Sequence, residues 1–210
     1  MYGSVMSIKK FLESLTLDRA PGPSPSFSIF DVIKALDIIA KAGSVGRGKL
    51  SEKLGLGRGA TRTLLGRLIE AQLISTSRSG CTLTSRGKKI WRKIEEIIPH
   101  ISEIGQNELT FAAYNVVVQV RGRGEKVGKG LEQRDAAVRA GAKGAITLIY
   151  RNKKLMLPTI TDDAARSYPI AHQQITRLMD LKENDVAIIV CADSLKNAEY
   201  GALAAAWTIV

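Results

Sequence analysis

The sequence predicts an α+β protein built from two domains. Before residue 107, apolar residues recur mainly at three- and four-residue spacing, which is typical of amphipathic helices. After residue 107, β-branched runs alternate with helical segments, which predicts a small α/β or α+β domain with layers packed like a sandwich. At 210 residues the chain is long enough for two modest cores. We place an N-terminal helix and linker at 1–27, a helical domain with a hairpin at 28–104, and an α/β domain at 108–210.

The N-terminal elements follow from apolar spacing and from helix-ending residues. Val5, Ile8, Leu12 and Leu15 give residues 1–17 an amphipathic helical pattern, and the stretch Pro21–Pro25 predicts a stiff linker. Further helices are expected from 28 to 41 with Ser28 as cap and Gly43 as stop, around 50–54 with Gly55 as stop, at about 58–72, and from Ser85 to Pro99. Between the last two, residues 73–77 and 81–84 predict two short strands joined by a turn.

The second half alternates apolar strands with helices. The β-branched composition of residues 112–120 and 186–191 favours buried strands. A glycine-rich basic loop occupies 121–130. The remaining elements are predicted as a helix at 131–140, a hairpin of 145–151 and 154–157 turned at Asn152, a helix at 164–181, and a last helix capped by Ser194.

Positive charge is confined to one segment of the chain. Between Arg47 and Lys93 lie twelve Lys or Arg residues and only two acids, Glu52 and Glu70, which accounts for +10 of the formal net charge of +11. A basic surface of this kind favours a polyanionic partner, because neutralising phosphates releases condensed counterions. The segment also holds the predicted hairpin and two helices, so the charge and the structural pattern coincide.

Several classes of protein do not fit this composition. No run of 18 apolar residues exists, so a membrane span is not expected. The N-terminus lacks the charged start, apolar run and cleavage site of a secretory signal. Cys81 and Cys191 lie in different predicted domains, which argues against a structural disulfide and fits a reducing cytoplasm. With two His and two Cys, a structural zinc site is not expected, and no cofactor is indicated.

The order of helix, helix, turn, helix, hairpin and helix over 28–99 resembles the winged helix-turn-helix transcription regulators of bacteria and archaea. Three stretches carry the resemblance: Lys49-Leu-Ser-Glu-Lys-Leu-Gly-Leu56, then Gly59-Ala-Thr-Arg-Thr-Leu-Leu-Gly-Arg-Leu-Ile-Glu-Ala-Gln-Leu-Ile74, then Leu83-Thr-Ser-Arg-Gly87. In that family the third helix enters the major groove, and its first residues approach base edges. The resemblance therefore implies binding to double-stranded DNA.

The predicted DNA contacts come from a helical projection of residues 58–72. The core side is expected to hold Thr61, Leu64, Leu65, Leu68 and Ile69. Arg62 is the candidate for a bidentate guanine contact, which discriminates by roughly 1–3 kcal/mol, and Ala60 and Thr63 are placed to meet a thymine methyl. Gly66, on the exposed side, lets the helix backbone approach DNA closely or is simply a tolerated defect. The predicted contacts are Lys49, Arg58, Ala60, Arg62, Thr63, Arg67, Arg78, Arg86, Lys88 and Lys89.

The glycine-rich loop of the second domain is a candidate anion site. Glycine N–H groups and a following helix start can hold a phosphate or carboxylate. The glycine spacing, however, matches neither the dinucleotide-binding fingerprint nor the P-loop. A plain connecting loop and a further nucleic-acid contact are the alternatives. The stretch Gly130–Ala145 resembles an uncharacterised domain that follows winged helices in some archaeal proteins. The predicted effector residues are Arg121, Gly122, Arg123, Gly124, Lys126, Lys129 and Gly130.

The other chemistry-bearing residues do not assemble into a catalytic site. Asp162 and Asp163 are adjacent, which favours a turn or a helix cap. His100 is expected at a helix end and His172 on a helix, without ligands at metal spacing. Cys81 would be a redox sensor only if exposed. Because no nucleophile, base and orienting group can be combined, we expect no enzyme and no catalytic residues.

These observations favour a cytoplasmic, nucleoid-associated transcription regulator with a DNA-binding first domain and a second domain that senses a small anionic effector or mediates assembly. A sequence-tolerant architectural DNA-binding protein and an enzyme acting on a phosphorylated substrate are the alternatives. A homodimer is expected, because one winged helix reads only a half-site. The candidate interfaces are the helix after the hairpin, through Ile94, Ile97, Ile98 and Ile101, and the apolar C-terminal helix.

Overall fold

The computed structural model describes residues 7–17 and 26–210, and the chain divides into two compact units that meet at residues 94 and 95. Helices and strands are both abundant, so the predicted α+β class is confirmed. Val5 and the predicted linker Pro21–Pro25 lie outside the described residues. The units divide ten residues before the end predicted for the first domain, because residues 100–103 join the second unit's sheet.

The first unit is mainly helical and carries one hairpin. Ser28 begins the second helix with a capping box, since its amide donates to Asp31 Oδ2 at 2.7 Å and its Oγ accepts from the Asp31 amide at 3.4 Å. Gly43 ends that helix with a φ of +70°, and Gly55 ends the next with a φ of +60°, both as predicted. The elements are α1 (Ile8–Ser14), α2 (Ile29–Ala42), α3 (Arg47–Leu54), α4 (Arg58–Glu70), β1 (Ile74–Ser77), β2 (Gly80–Leu83) and α5 (Ser85–Ile97).

The hairpin is tied to the helices at its base. β1 and β2 pair antiparallel from Ile74 opposite Leu83 to Ser77 opposite Gly80. Val45, just before α3, exchanges two backbone hydrogen bonds with Cys81, of 2.8 and 3.0 Å. The fully buried leucines and isoleucine of this unit are Leu12, Leu36, Ile39, Leu50, Leu54, Leu64, Leu68 and Leu73. The helices α2, α3 and α4, with a hairpin tied to the chain directly before α3, have the arrangement of a winged helix-turn-helix.

Close packing at the start of α5 requires a glycine at position 87. Its amide donates to Thr84 Oγ1 at 3.0 Å, and the same hydroxyl donates to the Gln72 carbonyl at 2.6 Å, which fixes the start of α5 against the end of α4. A Cβ at Gly87 would collide with the Leu73 carbonyl. Only a residue without a side chain therefore lets α5 approach this chain segment.

The second unit is a single five-stranded sheet with helices on both faces. Its strand order is β3-β4-β7-β5-β6, and every neighbouring pair is antiparallel. One face packs on α6 and α9, and the other packs on α8. The strands are β3 (His100–Glu103), β4 (Tyr114–Val120), β5 (Gly144–Arg151), β6 (Lys154–Met156) and β7 (Val186–Ala192), and the helices are α6 (Leu131–Arg139), α7 (Ala164–Ser167), α8 (Pro169–Leu178) and α9 (Leu195–Trp207).

Two predictions about this half of the chain were wrong. Residues 164–181 form two helices rather than one, because Pro169 begins α8 and cannot continue the preceding turn. Ile101 lies on the edge strand β3 and not on the helix predicted from Ser85 to Pro99. The dimer surfaces expected on the helix after the hairpin and on α9 are largely covered, since Ile94 and Ile98 are buried, Ile97 is half-buried, and α9 is buried along most of its length.

The packing at Gly87 makes a stability prediction. Gly87→Ala should lower the free energy of unfolding by about 3 kcal/mol, because the added methyl displaces backbone that it cannot avoid. Gly48→Ala, in the first turn of α3, where the added carbon would enter open space among the described residues, is the matched control. It should leave stability unchanged or raise it by up to about 1 kcal/mol. Urea unfolding followed by circular dichroism measures both, and equal stabilities of the two variants would contradict this packing.

Candidate nucleic-acid interface

The helices α3 and α4 begin side by side, and each begins with a glycine. Gly46 and Gly57 are the N-cap residues, and neither helix start has a side-chain cap. The N–H groups of a first helical turn carry partial positive charge and can donate to an anion. Both helix starts therefore face the same region of the surface. At neither start does the side chain of the cap residue accept a hydrogen bond from the first-turn N–H groups.

A cleft of about 480 Å³ lies between these two helix starts. Three arginine side chains and two glycines contribute to its walls, and its lining residues are Arg47, Gly48, Ser51, Arg58, Gly59 and Arg62. All three arginines are exposed, and in 7–17 and 26–210 none of them is ion-paired with a carboxylate. Guanidinium groups beside helix N-termini provide a phosphate-sized anion with both hydrogen-bond donors and positive charge.

A second groove, of about 460 Å³, separates the exposed side of α4 from the hairpin. Arg47 and Arg62 line both cavities, so the cleft and the groove form one continuous basic surface. Gly48, Gly59 and Gly66 on this surface have open space where a Cβ would stand. Internal packing therefore does not require these glycines, although each weakens a helix by about 1 kcal/mol relative to alanine.

Most of the residues predicted to contact DNA lie on the exterior of the first unit. Ala60 is partly buried at the start of α4. Thr63 is exposed, although its hydroxyl donates to the Gly59 carbonyl at 3.2 Å. Arg86 is exposed and its guanidinium lies 5.3 Å from the centre of the Phe11 ring. The predicted residues found exposed are Lys49, Arg58, Arg62, Thr63, Arg78, Arg86, Lys88 and Lys89.

The predicted position of Arg67 was wrong. Its side chain is only 8% exposed, and its Nη1 donates to the carbonyls of Leu15 and Leu17 at 2.7 and 2.8 Å. The guanidinium also lies 5.5 Å from the centre of the Phe27 ring. A projection of α4 alone places Arg67 away from the core, but α1 and the residues after it cover that side of the helix. Arg67 therefore anchors the N-terminal segment and does not face the exterior.

Two further residues of this surface differ from their predicted roles. Ile69 was assigned to the core but is 43% exposed and lines the groove beside the hairpin. Arg47 was counted in the basic segment but was not chosen as a contact, although it lines both cavities. Its position directly after the Gly46 cap is the one local signal that could have identified it.

Cys81 lies at the groove but is buried, with 3% of its surface exposed. Burial raises the pKa of the Cys81 thiol, and the nearby positive charge of Arg47 offsets this only in part. The thiol therefore stays protonated near neutral pH, which does not favour reaction with oxidants. The exposure that redox sensing requires is absent at this residue.

In the second unit, a carboxylate of the chain itself contacts the first residues of the predicted anion site. Asp185 is 1% exposed and accepts hydrogen bonds from the Gly122 amide at 2.9 Å and from Arg121 Nη1 at 3.2 Å. Gln119 Nε2 and the Lys182 amide donate to it at 2.8 and 2.9 Å. The positive charge and the amide predicted to bind an effector are thus used internally, at the start of the loop.

The loop around Gly124 does not favour an anion either. The Gly124 amide donates to the Asn184 carbonyl at 2.7 Å, and the chain turns through a short 3-10 helix before Gly130 begins α6. The depression beside Gly124 and Gly128 is lined by Glu125 and Glu183 as well as by Arg151. Two carboxylates at its edge oppose an anionic ligand. The assignment of Arg121, Gly122 and Gly124 to an effector site was therefore wrong.

The remaining polar candidates have structural roles. Asp163 caps α7 by accepting from the Ala165 amide at 3.1 Å, which confirms the predicted cap. A hydrogen bond from Lys154 holds the pKa of the Asp163 carboxyl below its usual range. His100 Nε2 lies 2.8 Å from Ser102 Oγ on the edge strand. Among the residues that the structure describes, no three His, Cys, Asp or Glu side chains are placed to hold a metal ion, and no helix is long and apolar enough to cross a bilayer.

Comparisons with known proteins match both units. Residues 28–89 match the model of the PH0730-like N-terminal domain, and residues 111–209 match a domain of unknown function, DUF4443. The solved structure of the hypothetical protein PH0730 from Pyrococcus horikoshii OT3 is 25% identical, with a TM-score of 0.70, over 88% of this chain and 93% of that one. The crystal structure of RV1404 from Mycobacterium tuberculosis is 26% identical over 31% of this chain and 50% of that one, with a TM-score of 0.30. No curated protein matches the chain.

The contrast between Arg67 and Arg62 on α4 makes a second stability prediction. Arg67→Met should lower the free energy of unfolding by roughly 2–3 kcal/mol, because the carbonyls of Leu15 and Leu17 lose a charged donor. Arg62→Met, on the exposed side of the same helix, should change it by less than about 0.5 kcal/mol. Thermal and urea unfolding provide the measurement. An Arg67→Met variant with the free energy of unfolding of the parent would show that Arg67 does not hold α1 in this way.

Proposed function

We propose that this protein is a DNA-binding transcription regulator in which the first unit binds duplex DNA and the second unit pairs two copies. The proposal rests chiefly on the cleft where α3 and α4 begin, with Arg47, Arg58 and Arg62 around it and no carboxylate paired with them in the described ranges. The confinement of +10 formal charges to residues 47–93 supports the same partner. We also propose that the protein is located at the DNA inside the cell.

The geometry favours particular roles for individual residues. A DNA phosphate fits the cleft, where Arg47 and Arg58 supply positive charge beside the first-turn amides of both helices. Arg62 lies one turn further along α4, where its guanidinium can reach a guanine edge in the major groove. Arg78 at the turn of the hairpin is placed to meet the backbone or the adjacent minor groove. Phosphate contacts set position, and Arg62 carries base discrimination.

An architectural, sequence-tolerant DNA-binding role is the second candidate. The exposed side of α4 offers few base-reading side chains, because Gly59 and Gly66 take two of its positions. A helix of this kind favours backbone contact over base contact. The ratio of affinities for a selected site and for random duplex, at fixed salt, separates the two functions. A ratio below about tenfold favours the architectural role, since specific readers typically reach 10³ or more.

The charge of the cleft predicts the salt dependence of DNA binding. In the parent protein, the logarithm of the association constant for duplex DNA should fall steeply with the logarithm of salt concentration. The double variant Arg58→Gln plus Arg62→Gln should bind more weakly and with a slope shallower by roughly 1–2, because each phosphate that a cation neutralises adds about 0.9 to the slope. Fluorescence anisotropy with a labelled duplex measures both quantities.

The control for this experiment carries the same change of charge elsewhere. Lys153→Gln plus Arg177→Gln, on the exterior of the second unit, also removes two positive charges and should behave like the parent. Equal slopes in the parent and in both double variants would exclude the cleft as the surface that binds DNA.

Gly66 allows a test that separates folding from DNA contact. Gly66→Ala should raise the free energy of unfolding by up to about 1 kcal/mol, because alanine is the better helix former and its methyl enters open space among the described residues. The same methyl should weaken DNA binding several-fold if the duplex approaches the backbone of α4. Gly128→Ala, also in open space but in the second unit, should leave DNA affinity unchanged. A Gly66→Ala protein that binds DNA as tightly as the parent would show that α4 does not lie in contact at this position.

A further inference from the structure

The helix α6 presents an apolar stripe that the second unit leaves exposed. Leu131 and Val138 lie seven residues apart, which is two helical turns on one face, and they are 49% and 47% exposed. Arg134 and Asp135 lie between them and are also exposed. The opposite face is fixed in the core through Gln133, Ala136 and Ala137, so the exposed stripe belongs to a firmly held helix.

The stripe is complementary to itself. If two copies of α6 pack antiparallel about a two-fold axis between positions 134 and 135, Leu131 lies opposite Val138 of the second copy. In the same arrangement Arg134 lies opposite Asp135 of the second copy, and each contact occurs twice. A surface that repeats its contacts in this way is the requirement for a closed dimer with identical interfaces.

Within one copy, the ion pair between Arg134 and Asp135 contributes little to stability. Arg134 Nε and Nη2 donate to Asp135 Oδ1 at 3.1 and 3.0 Å, and both side chains are about half exposed. Neighbours in sequence do not face each other on a helix, and exposed pairs contribute little to stability. Across the two-fold axis, each guanidinium instead meets a carboxylate at the centre of an apolar contact, where less water screens the pair.

We propose that α6 is the surface through which two copies of this chain associate, with Leu131 and Val138 as the apolar contacts and Arg134 and Asp135 as reciprocal ion pairs. On the dimer surfaces expected from the sequence, Ile94 and Ile98 are buried, Ile97 is half-buried, and α9 is buried along most of its length. The inference deepens the proposed function, on which its biological purpose rests, because two DNA-binding units joined by a two-fold axis can contact two half-sites.

The apolar contacts are tested by the oligomeric state of the full chain without DNA. Sedimentation velocity over a range of protein concentrations should show a monomer–dimer equilibrium for the parent. Leu131→Glu plus Val138→Glu should raise the dimer dissociation constant about a hundredfold or more, because it removes the apolar contact and adds repelling charges. Ile160→Glu plus Ile170→Glu, at two exposed apolar residues outside α6, is the matched control and should associate like the parent. A parent that stays monomeric at every concentration, or a Leu131 and Val138 variant that associates like the parent, would overturn the proposal.

The reciprocal ion pairs allow a rescue experiment. Arg134→Asp alone should weaken association at least about tenfold, since each new carboxylate then faces Asp135 of the second copy. Combining Arg134→Asp with Asp135→Arg restores an opposite charge at every contact and should recover most of the parental affinity. A folding defect would not be repaired by the second change, and failure of the double variant to recover would overturn the antiparallel arrangement. Because these measurements contain no DNA, a protein that dimerises through α6 but does not bind duplex would contradict the proposed function alone.

Discussion

Positive charge gathered in one segment of the chain, with only two acidic residues beside it, is the constraint on which the first unit depends. Twelve cations and two acids lie between residues 47 and 93, and such a concentration repels itself in the folded state. One of these cations, Arg67, is buried and donates hydrogen bonds to carbonyls of the N-terminal segment. The arginines around the two helix starts remain exposed. Because these arginines still repel one another where α3 and α4 begin, the surface there favours a partner of opposite charge.

Glycines serve opposite purposes in the two parts of this unit. At Gly87 the neighbouring backbone leaves no room for a side chain, so the glycine is required by folding. At Gly48, Gly59 and Gly66 the space is open, so folding would be served as well or better by alanine. The open glycines lie on the same surface as the exposed arginines. Charge and the absence of side chains therefore coincide where another molecule would come closest to the helices.

Local signals predicted much of the fold, whereas distant segments decide the parts that were missed. The Ser28 cap, the Gly55 stop and the hairpin after α4 depend on neighbouring residues and lie where the sequence placed them. The strand β3 was missed because its four residues show no apolar run, and it exists by pairing with β4. At the candidate sites, Arg67 is covered by a residue 52 positions away, which no projection of α4 can show. Likewise, the carboxylate that occupies the glycine loop belongs to Asp185, 63 residues after Gly122.

The most direct test of DNA binding at the two helix starts is a map of the backbone amides that duplex DNA perturbs. Heteronuclear NMR spectra of the labelled protein, titrated with duplex DNA, report each amide separately. We predict that the largest shifts occur at the first turns of α3 and α4, including Gly48 and Gly59, and continue along α4 to Gly66 and into the hairpin turn. Shifts confined to residues 95–210, or no shifts at concentrations where DNA is bound, would contradict DNA binding through this surface.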